Sequence, residues 1–255
     1  GFSIATSDST EYLFARAKLR AMGQSAKDAV SYFRATVAER TVLRNRADVY
    51  GLAYSLMRAR DFAAAEKELA TIRGSAAPHP WIENLAAEIE AAKKNWPEAL
   101  RLYQAGVRAF PQHRSFLYGH IGTLYEAGRT DEALALLKEQ LKTIQDDARL
   151  YQLAARGYEL KNKRLAQHRA IGEAYFHKGN LIGAVEQLEL AVKAKDGDFY
   201  EVSSAEARLR ELKVAFKNRP LLPGEKRDTP RDRDSDKPDF RLSPFRQHAA
   251  VRADN

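Results

Sequence analysis

Ala65, Ala99 and Ala133 lie 34 residues apart, twice over, and each occupies the same place in an otherwise variable pattern. The stretches "LAYSLMRARDFAAAEKEL", "AAEIEAAKKNWPEALRLY" and "HIGTLYEAGRTDEALALL" align around these alanines. A turn-like run precedes each alanine ("RARDF", "KKNWP", "EAGRT"), and a large apolar residue follows four positions later: Leu69, Tyr103 and Leu137. The surrounding apolar residues recur at helical spacing. A fixed period of this length marks an array in which one small unit stacks on the next. Two short helices and a turn fill it. The alanine then has a physical reason: two antiparallel helices of one hairpin cross closely, and a larger side chain would force them apart.

Other segments extend the array. "RAIGEAYFHKGNLIGAVEQLELA", from Arg169 to Ala191, carries Gly172, Gly179 and Ala184 at the small positions and Ile171, Tyr175 and Leu188 as large partners. Ala184 comes 51 residues after Ala133, one period and a half. Ala166 falls in the second-helix position, 33 residues after Ala133. The helix from about Arg164 to Lys178 is therefore expected to serve twice, closing a fourth unit and opening a fifth. Upstream, residues 9–40 read as a looser hairpin with a break at "MGQSA" and Ala29 in the small position, 36 residues before Ala65. A helix near 198–217, with Leu209, Leu212 and Phe216 on one face, is expected to cap the last exposed apolar face. Residues 1–217 thus form one repeat domain of about five hairpins. The tail, residues 218–255, is charged and proline-containing; it reads as disordered in isolation, or as an extended arm that packs through Phe240, Leu242 and Phe245.

Period, hairpin content and small-residue spacing together resemble the tetratricopeptide repeat. The resemblance implies an all-α fold: a right-handed superhelical solenoid of antiparallel hairpins whose first helices line a concave groove. Counted from the alanines, the groove receives Tyr50, Tyr54 and Met57, then Asn84 and Glu88, then Tyr118 and Tyr125, then Tyr151 and Tyr158, then Arg169, Glu173 and Phe176. Six of the eleven tyrosines fall there. Tyrosine offers a flat apolar face and a hydroxyl at low entropic cost, which suits peptide recognition. The alternative is that these rings fill gaps between adjacent helices. Repeat domains that clamp a carboxylate terminus use Lys and Asn in these places, and a mostly tyrosine lining disfavours that mode.

Composition narrows the function by exclusion. The chain has no cysteine, so disulfides and thiol chemistry are out and a structural zinc site is disfavoured. A net charge of +8 admits anionic partners, but acidic and basic residues interleave throughout, and nucleic acid is not expected. No run of apolar residues is long enough to span a membrane. The opening "GFSIATSDSTEY" has neither the basic start nor the apolar core of a signal peptide, and the absence of an initial Met suggests a cut made inside a longer protein. His79, His113, His120, His168, His177 and His248 include no H-E-x-x-H pair, and no nucleophile elbow, phosphate loop or dinucleotide fingerprint occurs. The acid pairs Asp131-Glu132 and Asp146-Asp147 sit at expected helix starts, where the helix dipole favours them. The chain reads as non-catalytic and free of cofactor and metal.

One stretch carries a narrower likeness. "LYQLAARGYELKNKRLAQHRAIGEAYFHKGNLIGAVEQLELAVKAKDGDFYEVSSAEARLREL", together with "EYLFARAKLRAM", resembles the C-terminal repeat region of the periplasmic beta-barrel assembly-enhancing proteases, zinc metallopeptidases of the HtpX-like type. The likeness spans residues from about 10 to 215. It implies a periplasmic docking module for outer-membrane assembly machinery or unfolded outer-membrane proteins, with zinc and the catalytic Glu on a protease domain that this chain lacks. No catalytic residue carries over, because no position here matches H-E-x-x-H. A free-standing adaptor in secretion, pilus or cell-envelope assembly is the alternative, and an enzyme or nucleic-acid binder on a helical solenoid is a third reading.

Overall fold

The computed structural model describes residues 3–39, 45–74 and 77–219. The described residues form twelve helices and no strand: α1 Ser3–Met22, α2 Ala26–Glu39, α3 Arg46–Arg58, α4 Phe62–Arg73, α5 Pro80–Ala92, α6 Trp96–Ala109, α7 Ser115–Glu126, α8 Thr130–Thr143, α9 Ala148–Leu160, α10 Arg164–His177, α11 Leu181–Lys193 and α12 Phe199–Asn218. Several helices start where local chemistry provides for their free amides. Asn45, Asp61, Asp147 and Asn180 accept backbone N–H bonds at the starts of α3, α4, α9 and α11. Pro97 sits in the first turn of α6. Asp131 and Glu132 occupy the first turn of α8. Arg60, Lys94, Gly128 and Asn162, again 34 residues apart, all take positive φ in the turns after α3, α5, α7 and α9. The turn geometry repeats even where the residue type does not.

The small positions behave as the period requires. Ala29, Ala65, Ala99, Ala133 and Ala184 are fully buried. First helices pack on one another in series, α1 on α3, α3 on α5, α5 on α7 and α7 on α9, while each second helix packs within its hairpin and on the next one. A size rule governs the contact between successive hairpins. The large residue of one second helix meets a residue of the following first helix: Phe33 lies on Gly51, and Tyr103 lies on Gly119. At the two equivalent places Leu69 is matched with Leu85, and Leu137 with Leu153, each pair buried within one cluster. A ring takes a glycine opposite it, and leucine takes leucine. Total volume is conserved along the array, as close packing demands.

α10 packs against both α9 and α11. Its buried residues, Leu165, Ala170, Gly172 and Ala174, point to more than one side. Ala166 is half-buried, unlike the other slot alanines. α12 contributes Ala205 and Leu212 to the cluster built on Leu165, Ala184, Leu188 and Ala191. The chain divides into two compact units, Gly1–Lys213 and Val214–Asn255. The boundary between these units falls inside α12, after Lys213. The tail expectations, including Phe240, Leu242 and Phe245, lie outside the described residues.

Candidate functional site

The first helices present side chains along one continuous face. The 34-residue period carries Tyr50 to Asn84, Tyr118 and Gln152, and carries Tyr54 to Glu88, Gly122 and Arg156. At the α1–α3–α5 end, Glu88 accepts from Lys18 Nζ at 3.3 Å and from Asn84 Nδ2 at 2.6 Å. The Lys18 ammonium lies 5.2 Å from the centre of the Tyr54 ring and 5.9 Å from that of Trp81. The Trp81 indole N–H donates to Glu11. Burial, reinforced by the nearby Glu88 carboxylate, pushes the hydroxyls of Tyr50 and Tyr54 above their usual pKa. The result is a group of aromatic rings with one cation, Lys18, and two carboxylates, Glu11 and Glu88, beside it.

A second group sits at the α9–α10–α12 end. The Tyr151 ring stacks on His177 at 5.2 Å, and its hydroxyl donates to the Gln145 carbonyl. Arg208 makes a two-pronged ion pair with Glu173 at 2.8 Å and lies 4.7 Å above the Phe176 ring. Arg169 is half-buried between Tyr151 and Tyr158, and its charge acts on both phenols.

Between the two groups lies Gly122, in the middle of α7. A Cβ built there meets no atom within 4 Å. A glycine inside a helix costs about 1 kcal/mol relative to alanine, and packing offers no reason for it here, whereas Gly119 one turn earlier is required by the Tyr103 ring. The floor of the face at Gly122 is open down to the backbone.

Several groove residues expected from the sequence are not on an open surface. Tyr50 is 1% exposed and wedged edge-on between Phe14 and Trp81, so it belongs to the core. Asn84 is 6% exposed. Tyr54 is also buried, with only its ring face towards Lys18. Tyr125 is a spacer: its hydroxyl donates to the Leu153 carbonyl at 2.7 Å and sits over Gly157 beside Leu134. For these three tyrosines the gap-filling alternative describes the packing. Tyr118 is half-buried, and its hydroxyl is committed to Asp147 at 2.6 Å, beside Arg114. Tyr151, Tyr158, Arg169 and Phe176 are half-buried and gather at the α9–α10–α12 end. The sequence reading passed over Lys18, Trp81, Gly122 and Arg208. Strict use of the period would have found Gly122, and would have placed Gln152 and Arg156 in the row in place of Tyr151 and Tyr158.

Among the described residues no three His, Asp or Glu side chains come together to hold a metal ion. No described helix is long and apolar enough to cross a membrane. Residues 90–157 match the family described as tetratricopeptide repeat. No curated protein matches the chain. Among solved structures the chain is similar to MamA MSR-1 C2, at 14% identity over 67% of this chain and 97% of that one, with a TM-score of 0.44. It is also similar to BtubC (BKLC) from P. vanneervenii, at 12% identity over 84% of this chain and 97% of that one, with a TM-score of 0.34. The fold is an all-α tetratricopeptide-repeat solenoid, and repeats of this kind are protein-interaction modules.

Proposed function

We propose that this repeat solenoid is a non-catalytic docking module that takes an extended polypeptide segment along the face of α1, α3, α5, α7 and α9. The observation that carries the reading is Gly122: a mid-helix glycine without a packing role, flanked by aromatic and charged groups on both sides. An extended chain has a backbone that approaches closely and side chains that alternate. It fits a face with an open floor and ring-lined ends. Segments rich in aromatic residues gain most, through Trp81, Tyr151 and Phe176.

The docking module serves, in this proposal, a periplasmic zinc metallopeptidase that acts in outer-membrane protein assembly and quality control. The support is the likeness of residues 11–22 and 150–212 to the repeat region of that family. The metal and the catalytic Glu would belong to H-E-x-x-H outside these residues. The native reading frame upstream of the Gly1 codon tests the parent: a signal peptide and H-E-x-x-H support it, and a start codon close to Gly1 leaves a free-standing adaptor instead.

The groove is tested separately. A fluorescent peptide copied from an outer-membrane β-strand is titrated with the chain and with Gly122→Leu. The variant is expected to bind at least about tenfold more weakly, about 1.4 kcal/mol, while melting no lower than wild type, since leucine favours the helix by about 0.8 kcal/mol over glycine. Equal binding by the two proteins removes the groove assignment.

A further inference from the structure

The repeat geometry shows what α1 lacks. α1 and α3 are equivalent at an offset of 36 residues, as their ends Met22 and Arg58 show. On α3, Gly51, Leu52, Ser55 and Leu56 are all buried, covered by the preceding hairpin. Their equivalents on α1 are Ala15, Arg16, Leu19 and Arg20. Ala15 is half-buried and the other three are exposed, Leu19 to 70%. Together with Tyr12 and Gly23 they line an open cleft of about 520 Å³. The socket filled on α3, α5, α7 and α9 is covered by no described residue on α1. The two cations beside it are held only over rings, Arg16 over Tyr12 and Arg20 over Tyr32. Neither guanidinium meets a carboxylate among the described residues.

A second exposed apolar surface runs along the outer side of α11. Ile182 is 48% and Leu190 44% exposed, with Glu186 exposed midway between them. At the equivalent positions on α8, 51 residues earlier, stand Asp131, Ala135 and Glu139. The outer face of α8 is thus polar where that of α11 is apolar. Glu186 makes no ion pair among the described residues, while Glu189 alongside it is held by Lys213 at 2.7 Å.

The two surfaces are complementary in sign and spacing. On α1 the apolar ends Tyr12 and Leu19 are seven residues apart with Arg16 between them; on α11 Ile182 and Leu190 are eight apart with Glu186 between them. At 1.5 Å per residue these spans are about 10 and 12 Å. We propose that the vacant face of α1 docks on the outer face of α11 of a second copy of this chain. Leu19 and Tyr12 cover Ile182 and Leu190, and Arg16 meets Glu186. Exposed apolar patches rimmed by opposite charge are the mark of such contacts. Because the two patches differ, the contact is heterologous, and each copy added leaves one patch of each kind free unless a ring closes.

Sedimentation velocity on the full 255-residue chain tests this, from about 1 to 100 µM so that mass action is visible. The weight-average sedimentation coefficient is expected to rise with concentration. Leu19→Glu and Leu190→Arg each replace a solvent-exposed side chain, and each alone is expected to weaken association at least tenfold with an unchanged far-UV spectrum. Mixed one to one, they pair through the one intact face each retains and stop at a dimer. Arg16→Glu and Glu186→Arg separately weaken association, and together in one chain they restore it. A chain that stays monomeric throughout overturns the proposal, whatever partner then covers α1. Association that both leucine variants leave intact, or a mixture that does not pair, overturns it as well.

Discussion

Replacing Gly119 with leucine tests the size rule between hairpins. A Cβ at this position lies 2.2 Å from Tyr103 Cε1 and 2.4 Å from Cζ, against the 3.4–4 Å of ordinary contact. The Tyr103 ring is 3% exposed and has nowhere to swing. Relief needs a shift of more than 1 Å in a close-packed core, which costs about 3 kcal/mol for so large an addition, less about 1 kcal/mol returned by helix propensity. Tyr103→Leu alone takes the ring from above a glycine and leaves a hole there; a loss of about 2–3 kcal/mol follows. The double variant recreates the pair that Leu69 and Leu85 form in the core one hairpin earlier. Its expected loss is about 1–2 kcal/mol, well below the sum of the single losses, so the coupling is about 3 kcal/mol. Urea unfolding followed by circular dichroism, on the four proteins of the cycle, measures it. Losses that add to within about 0.5 kcal/mol would refute the idea that ring-on-glycine and leucine-on-leucine are interchangeable solutions to one packing problem.

Two further outcomes follow from the geometry. Burial alone would raise the Asp147 pKa, but the hydroxyl of Tyr118, the Arg114 guanidinium and the amides of Arg149 and Leu150 all donate to this carboxylate and hold it below the usual value. A carboxyl whose folded pKa is depressed stabilises fully above its unfolded pKa of about 4 and loses that contribution as pH falls through the folded value. Asp147→Ala is therefore expected to cost about 2 kcal/mol at neutral pH, and the gap in urea midpoint from wild type should narrow on acidification; a gap independent of pH would count against the cluster. Gly172→Leu places a Cβ 2.2 Å from Leu188 Cδ2 and 3.3 Å from the Ala184 carbonyl. Because α10 packs on both sides, amide protection should fall in α9 as well as in α11, and a loss confined to α11 would contradict its bridging position.

Helix content, period and the small positions were legible in the sequence because each depends on residues close in the chain. Ala65, Ala99 and Ala133 report a crossing between two helices joined by one short turn. The outward-facing rows were harder. Tyr50, Tyr103, Tyr125 and Tyr151 are the same residue type, yet they act as a core wedge, a knob on glycine, a spacer and a stacking partner. What separates them is the set of groups each ring meets on neighbouring helices. Gly51 and Gly119 held that information, but a glycine inside a helix reads first as a weak point, and its meaning appears only when it is paired with Phe33 or Tyr103. Lys18 escaped notice for a related reason: it reaches Glu88 across 70 residues of chain, and no local pattern announces such a pair.

The alternation of ring-on-glycine with leucine-on-leucine also bears on how the chain avoids mispairing while it folds. Repeat arrays are prone to mispairing because neighbouring units look alike to one another. Here a hairpin that skipped its true neighbour would present Phe33 to Leu85, where the ring has no hollow, or Leu69 to Gly119, where the shorter side chain leaves a hole. Only a slip of two units brings a ring back to a glycine, and such a slip must close a much longer loop. Four interfaces in two sizes thus number the units along the chain, so that each hairpin docks in its turn.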